Sequence, residues 1–462
     1  MSGHRNLLGP LLHGAEAERI FAPEQQLARM VAFEIALAHA VEAAGIAPAG
    51  TGESCARGAE GFPTPEQANA IAEGAVKSGN LAIPFVKLLT EAVRSNAGNA
   101  ADFIHYGATS QDLLDTALVL GLRDFSDLAK EKLERICAAL VALTGQHRAT
   151  LMPGRTWLQQ GPPVTFGLKT AQWLSAILRH LERLEAARDR CCVLQFGGAV
   201  GTLASLGHNG QAVTRELARQ LALPVPEVPW HSQRDSLAEY ATVLALIDGT
   251  LGKAARDLAL MVQNEVAELQ IEAGEGAGGS STMPHKRNPV ALAVALSAAV
   301  RAPGLAATML SAMVQEHERG LGGWHAEWET LPELCLITGG SLEAMASTLE
   351  HLHVDAEAMR RNLDLLHGVA LAEAVAMRLS EAIGRPAAHR LLEEASRSAL
   401  ERKVDLITML LEDETVRQTI SHDELEKLLD PARYLGSTDI FIDQVLARAA
   451  STLPKESDDA VR

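Results

Sequence analysis

Apolar residues recur at steps of three and four along most of this chain. Leu27, Met30, Val31, Phe33, Ile35, Leu37 and Val41 predict a helix within 24–47, which Gly45 and Pro48 close. A Gly/Pro/Thr-rich loop is expected from Pro48 to Pro65, and short helices alternate with loops up to residue 108. The pattern then lengthens. Thr109-Ser110 reads as the cap of a helix continuing towards Gln146, and Leu168, Ala171, Leu174, Leu178 and Leu181 predict a second. A third is expected from Arg234 to about Ile271 with an interruption near Gly249–Gly252. A fourth runs from Asn288 to Val314, bent at Pro303, and a fifth from Glu327 to Leu352, bent near Gly339-Gly340. The strand signal is weak throughout. The fold class predicted is all-α, a three-domain elongated chain: a mostly helical N-terminal domain 1–108, a central bundle of five long helices 109–353, and a small helical domain 354–462.

Composition narrows the picture. At 462 residues the chain exceeds one ordinary compact core, and only 4% aromatic content favours helix over strand. A net charge of −17 argues against binding to nucleic acid or to an anionic membrane surface, so an anionic substrate must be held by a local cluster of cations. The apolar run Val290 to Val300 ends at Arg301, short of the roughly 20 residues a bilayer requires, and no apolar signal core follows the N-terminus. Five irregularly spaced cysteines with no CxxC fit a cytoplasmic protein without disulfides or a zinc site.

The richest chemistry lies in Gly279-Ser-Ser-Thr-Met-Pro-His-Lys-Arg-Asn-Pro289, preceded by Gly274, Gly276 and Gly278. A glycine-rich loop leads Ser280, Ser281 and Lys286 to a helix start, with Asn288 as cap and Pro289 at the first helical position. The positive end of a helix suits an anionic substrate and a proton transfer beside a carboxylate. His105-Tyr-Gly-Ala-Thr-Ser-Gln-Asp112 offers Thr109 and Ser110 at another helix start, where a plain cap is the alternative. Arg234 reads equally as a bidentate partner for a substrate carboxylate or as a structural ion pair. His317-Glu318 does not continue to HExxH, because Leu321 stands where the second His is needed. Neither GxGxxG nor GxxxxGK[ST] occurs in a supporting context, so no metal and no cofactor is expected.

The spacing Gly279-Ser280-x-x-Met283-x-x-Lys286-x-Asn288 resembles the signature of the fumarase/aspartase superfamily. The 105–112 stretch resembles its first active-site segment. Gly154 to Lys169 resembles the second, with Trp157 where many members carry His. Further stretches, Leu194–Gly198, Pro229–His231, Gln233–Asp235 and Trp324–Pro332, are similar to the 3-carboxy-cis,cis-muconate cycloisomerase family. That resemblance implies cofactor-free lactonisation of a small tricarboxylate to 4-carboxymuconolactone, in the protocatechuate (β-ketoadipate) branch of aromatic degradation. It also implies a homotetramer with active sites shared between subunits.

On this reading Ser280, Lys286 and His105 are catalytic. Thr109, Ser110, Arg155, Trp157, Gln159, Lys169, Gln233, Arg234, Ser281, Met283, Asn288 and Arg319 bind substrate. The chemistry accounts for Trp157. A carboxylate, with a reference pKa of about 4, attacks or leaves as the anion and needs no proton donor, whereas hydroxide and amine leaving groups do. The alternatives are a fumarate-releasing lyase of the same superfamily, of adenylosuccinate or aminopolycarboxylate type, and a catalytically silent structural homologue.

Overall fold

The computed structural model describes residues 7–271, 279, 283 and 286–453. These residues are mostly helical, and the fold is all-α. They form two compact units, each built from three stretches of chain. Unit 1 is Met1–Leu133, His180–Gly252 and Val294–Ala344; unit 2 is Glu134–Arg179, Lys253–Ala293 and Met345–Arg462.

Helix α1, Pro23–Ala43, starts on a proline whose missing N–H would be unpaired there in any residue. It buries Met30, Phe33, Leu37 and Val41, as its spacing requires, and Glu34 with them. The expected loop 48–65 contains a second helix, α2, Thr51–Gly58. Its free N–H groups have no capping side chain of their own. Glu42, the penultimate residue of α1, accepts from Gly50 N at 2.7 Å and from Gly52 N at 2.8 Å. Those two bonds hold the Glu42 carboxyl below its usual range.

Five helices exceed twenty residues beyond this point, as the periodicity predicts. Helix α3, Ser110–Gln146, begins at the cap signal, where Asp112 Oδ2 accepts from Thr109 N at 3.0 Å. Between α3 and α4 (Phe166–Cys191) lies a hairpin that the sequence did not predict. Its strands are β1, Leu151–Thr156, and β2, Gln159–Thr165. Thr156 pairs with Gln159, which leaves Trp157-Leu158 as a two-residue turn. Both turn residues have positive φ, 53° and 63°, as a type I′ turn demands.

Helix α5 spans Asp235–Met261 and is not interrupted at Gly249–Gly252. It ends ten residues before the expected Ile271, because Leu269–Ile271 forms β3 and pairs with β4, Leu352–Val354. Helix α6, Val290–Ala312, passes through Arg301 and Pro303 without a break. The apolar run therefore does not stop at Arg301, and by length and composition alone α6 meets the threshold for a membrane span. Helix α7, Gly323–Glu350, likewise continues through Gly339-Gly340.

Two glycines expected to bend helices instead permit close approach. A β-carbon at Gly252 would lie 2.3 Å from that of Ala299 on α6, and one at Gly340 would lie 2.1 Å from the Leu12 carbonyl oxygen. In unit 1, portions of α3, α5 and α7 meet over Phe125, Leu237, Tyr240, Leu244 and Leu334, all fully buried. The Ser126 and Tyr240 hydroxyls pair at 2.8 Å within that core. In unit 2, α8 (Ala372–Ile383), α9 (Arg385–Arg402) and α10 (Leu406–Glu412) enclose Val375, Leu379, Leu392, Leu406 and Leu410.

Candidate active site

In unit 1 the site is organised from the start of α3. His105 stands just before it with φ of 56°, a left-handed conformation that few non-glycine residues adopt. Glu34 of α1 holds it there: one carboxylate oxygen accepts from His105 N at 2.7 Å and the other lies 2.7 Å from His105 Nδ1. Burial alone would lower the pKa of this imidazole, but the charge and hydrogen bond of Glu34, aided by Asp112, raise it above the ordinary value. Thr109 and Ser110 follow, half-buried.

Asp112 is fully buried and accepts from three backbone N–H groups: Thr109 at 3.0 Å, Gly197 at 2.9 Å and Gly198 at 2.9 Å. His231 Nε2 lies 2.6 Å from it. One carboxylate thus ties the helix start to the glycine segment 197–198 and to the 229–235 stretch. The approach is tight, since a β-carbon at Gly198 would lie 3.0 Å from the Gly107 carbonyl oxygen. The next residue, Ala199, accepts from Arg319 Nη2 at 2.8 Å, which brings the Arg319 guanidinium to the same segment. Arg319 Nε is buried and has no partner among the described residues.

One turn further along α3, Asp115 anchors Arg234. Arg234 is 2% exposed and all three of its nitrogens are engaged. Nη1 and Nη2 donate to Asp115 at 2.7 and 3.1 Å, Nε donates to Glu327 at 3.0 Å, and Nη2 also donates to Glu327. Trp324 Nε1 donates to Asp115 at 2.9 Å, and the Trp230 ring lies 4.9 Å from the Arg234 guanidinium carbon. Arg234 thus forms the structural ion pair that one of its two readings requires. Burial raises the pKa of Glu327, with Arg234 opposing. Gln233 beside it is exposed and donates its backbone N–H to Trp230 O at 3.2 Å.

The other candidates belong to unit 2. Arg155 donates from both terminal nitrogens to Glu268, at 2.9 and 2.5 Å, and Asn362 Nδ2 donates to the same carboxylate at 2.9 Å. Arg155 is thus braced by Glu268 within unit 2 and keeps its side chain partly exposed. Lys169 lies 3.6 Å from Asp257. Burial lowers its pKa, Asp257 opposes that, and Lys253 and Arg155 add to it. Trp157 is 97% exposed and Leu158 76% exposed at the hairpin tip, and Gln159 is exposed opposite Thr156.

Ser280 and Ser281 lie outside the described residues. Around them, Gly279 pairs with Arg287, and Lys286 N donates to Met283 O at 3.1 Å. Lys286 and Met283 are exposed, and Asn288 is half-buried. Pro289 O accepts from Leu292 and Ala293, so Pro289 occupies the cap position expected for Asn288, one residue further on.

Five buried carboxylates, Glu34, Asp112, Asp115, Glu268 and Glu327, organise this geometry without appearing among the expected site residues. Glu34 was visible in principle. It sits on the apolar stripe with Leu27, Met30, Leu37 and Val41, where an acid signals a buried partner. Asp112 reads as a helix-start residue, and Glu268 lies inside a stretch that the periodicity assigns to helix. Apart from Thr109, their partners are distant in sequence, and nothing local marks those.

The fold has known counterparts. Residues 27–304 match a family model described as lyase, and residues 368–445 match one described as adenylosuccinate lyase C-terminus. The chain is 48% identical to a 3-carboxy-cis,cis-muconate cycloisomerase from Pseudomonas aeruginosa, over 94% of each chain. It resembles the solved 3-carboxy-cis,cis-muconate lactonizing enzyme of Pseudomonas putida with a TM-score of 0.90 at 42% identity, covering 96% of this chain and 99% of the other. It also resembles a fumarate lyase from Mesorhizobium sp. BNC1, with a TM-score of 0.86 at 37% identity, covering 94% and 98%.

Proposed function

The chain belongs to the fumarase/aspartase superfamily of lyases, and from that membership we propose that it is a cofactor-free cycloisomerase closing 3-carboxy-cis,cis-muconate to 4-carboxymuconolactone. The observation that carries this reading is Trp157. It stands where other branches place a histidine, in a chain 48% identical to a cycloisomerase.

A carboxylate of the substrate attacks the conjugated alkene. One C–O bond forms, the alkene electron pair moves towards a second carboxylate, and the carbon α to that carboxylate takes up a proton. The attacking group is already an anion, so no general acid is required at Trp157. Lys286, Asn288 and the N–H groups at the start of α6 stabilise the charge that builds on the second carboxylate. Ser280 carries the proton to the α carbon. His105, Thr109, Ser110 and Arg319 hold the remaining carboxylates at the start of α3.

We place the active sites in a homotetramer in the cytoplasm, each site completed by neighbouring chains. The exposed indole of Trp157 and the exposed apolar face of α6 support the assembly, because large apolar surfaces left uncovered mark interaction sites. Light scattering is expected to give about four times the 49.2 kDa chain mass.

Incubation with 3-carboxy-cis,cis-muconate tests the activity. Closure of the trianion to a lactone dianion takes up one proton per turnover, read by an indicator dye in weak buffer. Fumarate formation without proton-coupled lactone formation would instead favour the lyase reading. Ser280→Ala is expected to lower kcat by about 100-fold or more. Near-normal lactonisation in that variant would remove Ser280 as proton carrier and leave Ser281 or His105.

A further inference from the structure

Glu34 reaches His105 from a helix 71 residues earlier in the chain and is used by nothing else in the mechanism. Its side chain is completely buried, while the His105 side chain keeps 19% exposure. Both carboxylate oxygens are committed to His105, one on the backbone N–H and one on Nδ1. This arrangement fixes the left-handed backbone and the ring orientation together. With Nδ1 turned inward, Nε2 is the nitrogen left for a ligand, and among the described residues it has no partner.

We propose that Glu34 is a positioning residue that favours the charged form of His105 and presents its Nε2–H to a substrate carboxylate, so that His105 binds charge and is not the group that protonates the α carbon. This rests on the cycloisomerase reading. A buried carboxylate on Nδ1 favours the doubly protonated ring, in which Nε2–H is a hydrogen-bond donor. The charged groups acting on the ring are Glu34 from α1 and Asp112 from α3, both acidic. The chain carries −17 overall, so a fixed cation at the helix start offsets the field that a trianionic substrate meets.

The first measurement needs no variant. Histidine hydrogen–deuterium exchange read by mass spectrometry gives the titration of His105 in the intact enzyme. Titration above the ordinary histidine value of about 6.5 is expected, and titration below it would overturn the proposal. The second uses Glu34→Gln. The amide can still accept from the backbone N–H, but its NH2 then faces Nδ1 and favours a neutral ring. KM for 3-carboxy-cis,cis-muconate is expected to rise about tenfold with kcat within about threefold, as loss of one charge-assisted hydrogen bond implies. The basic limb of kcat/KM is expected to move to lower pH. An unchanged KM with a large fall in kcat would instead make His105 the proton donor to the α carbon and overturn the proposal. If the wild-type enzyme does not turn over this substrate, the cycloisomerase reading fails by itself, and the His105 titration still decides whether Glu34 holds a cation.

Discussion

Asp248 is a fully buried carboxyl on α5. Thr338 donates to its Oδ2 at 2.7 Å, and its Oδ1 has no hydrogen-bond partner among the described residues. Burial pushes its pKa from 3.8 to about 7, with the Thr338 hydrogen bond opposing. The folded state therefore keeps a proton that the unfolded chain has already released. The stability linked to this group is complete below the unfolded value and is lost as pH rises through the folded one. Asp248→Asn is expected to raise the urea midpoint at pH 8 and to change it little near pH 4. An equal gain at both pH values would show that the carboxyl is not the cause. Arg234 shows the opposite solution, a buried cation between two acids. Its sequence context left two readings open because both need a carboxylate, and only the fold shows that Asp115 and Glu327 are already there. Glu34 could be read from its place on an apolar stripe. Asp112 could be read only as a helix-start residue bonding Thr109, because the other groups it holds lie 85 to 119 residues away.

At the level of elements, the long helices were legible because each has its own periodicity, and the start of α3 at Ser110 was legible from its cap. The misassigned elements depend on partners. Helix α2 is capped by Glu42 of another helix, and β3 exists because β4 pairs with it. The glycines expected to bend helices are spacing residues instead. Gly252→Ala makes this testable by sign. In an unconstrained helix the change stabilises by about 1 kcal/mol. Here the added carbon meets Ala299, and overpacking of this kind costs about 1–3 kcal/mol, so a net fall in the urea midpoint is expected. Stabilisation would mean that α5 and α6 separate freely. The hairpin yields a second test at this scale. Trp157→His alters a side chain that is 97% exposed, so the melting temperature is expected to hold. Activity is expected to fall about tenfold or more if, as proposed, the indole shapes an active site. Full activity in the variant would remove that role.

For the molecule as a whole, the candidate residues divide between two compact units, and Trp157 stands uncovered on its turn. The homotetramer proposed above, with sites completed by partner chains, is consistent with an uncovered indole. Val300 on α6 is 79% exposed, and only 33% of the most apolar window of that helix is buried within the chain. Val300→Lys is expected to give species smaller than four chains by light scattering, with far-UV circular dichroism retained and activity lost. A full-size active assembly carrying the lysine would show that this face is not an interface. The same helix bears on how the protein is made. A newly synthesised chain presents, before any partner reaches it, a helix whose composition would suit a lipid bilayer. Folding chaperones and proteases meet that surface first, so the yield of active enzyme in a producing cell is expected to depend on how fast chains find one another. Slow, dilute synthesis then favours degradation, and crowded, rapid synthesis favours either assembly or inclusion bodies.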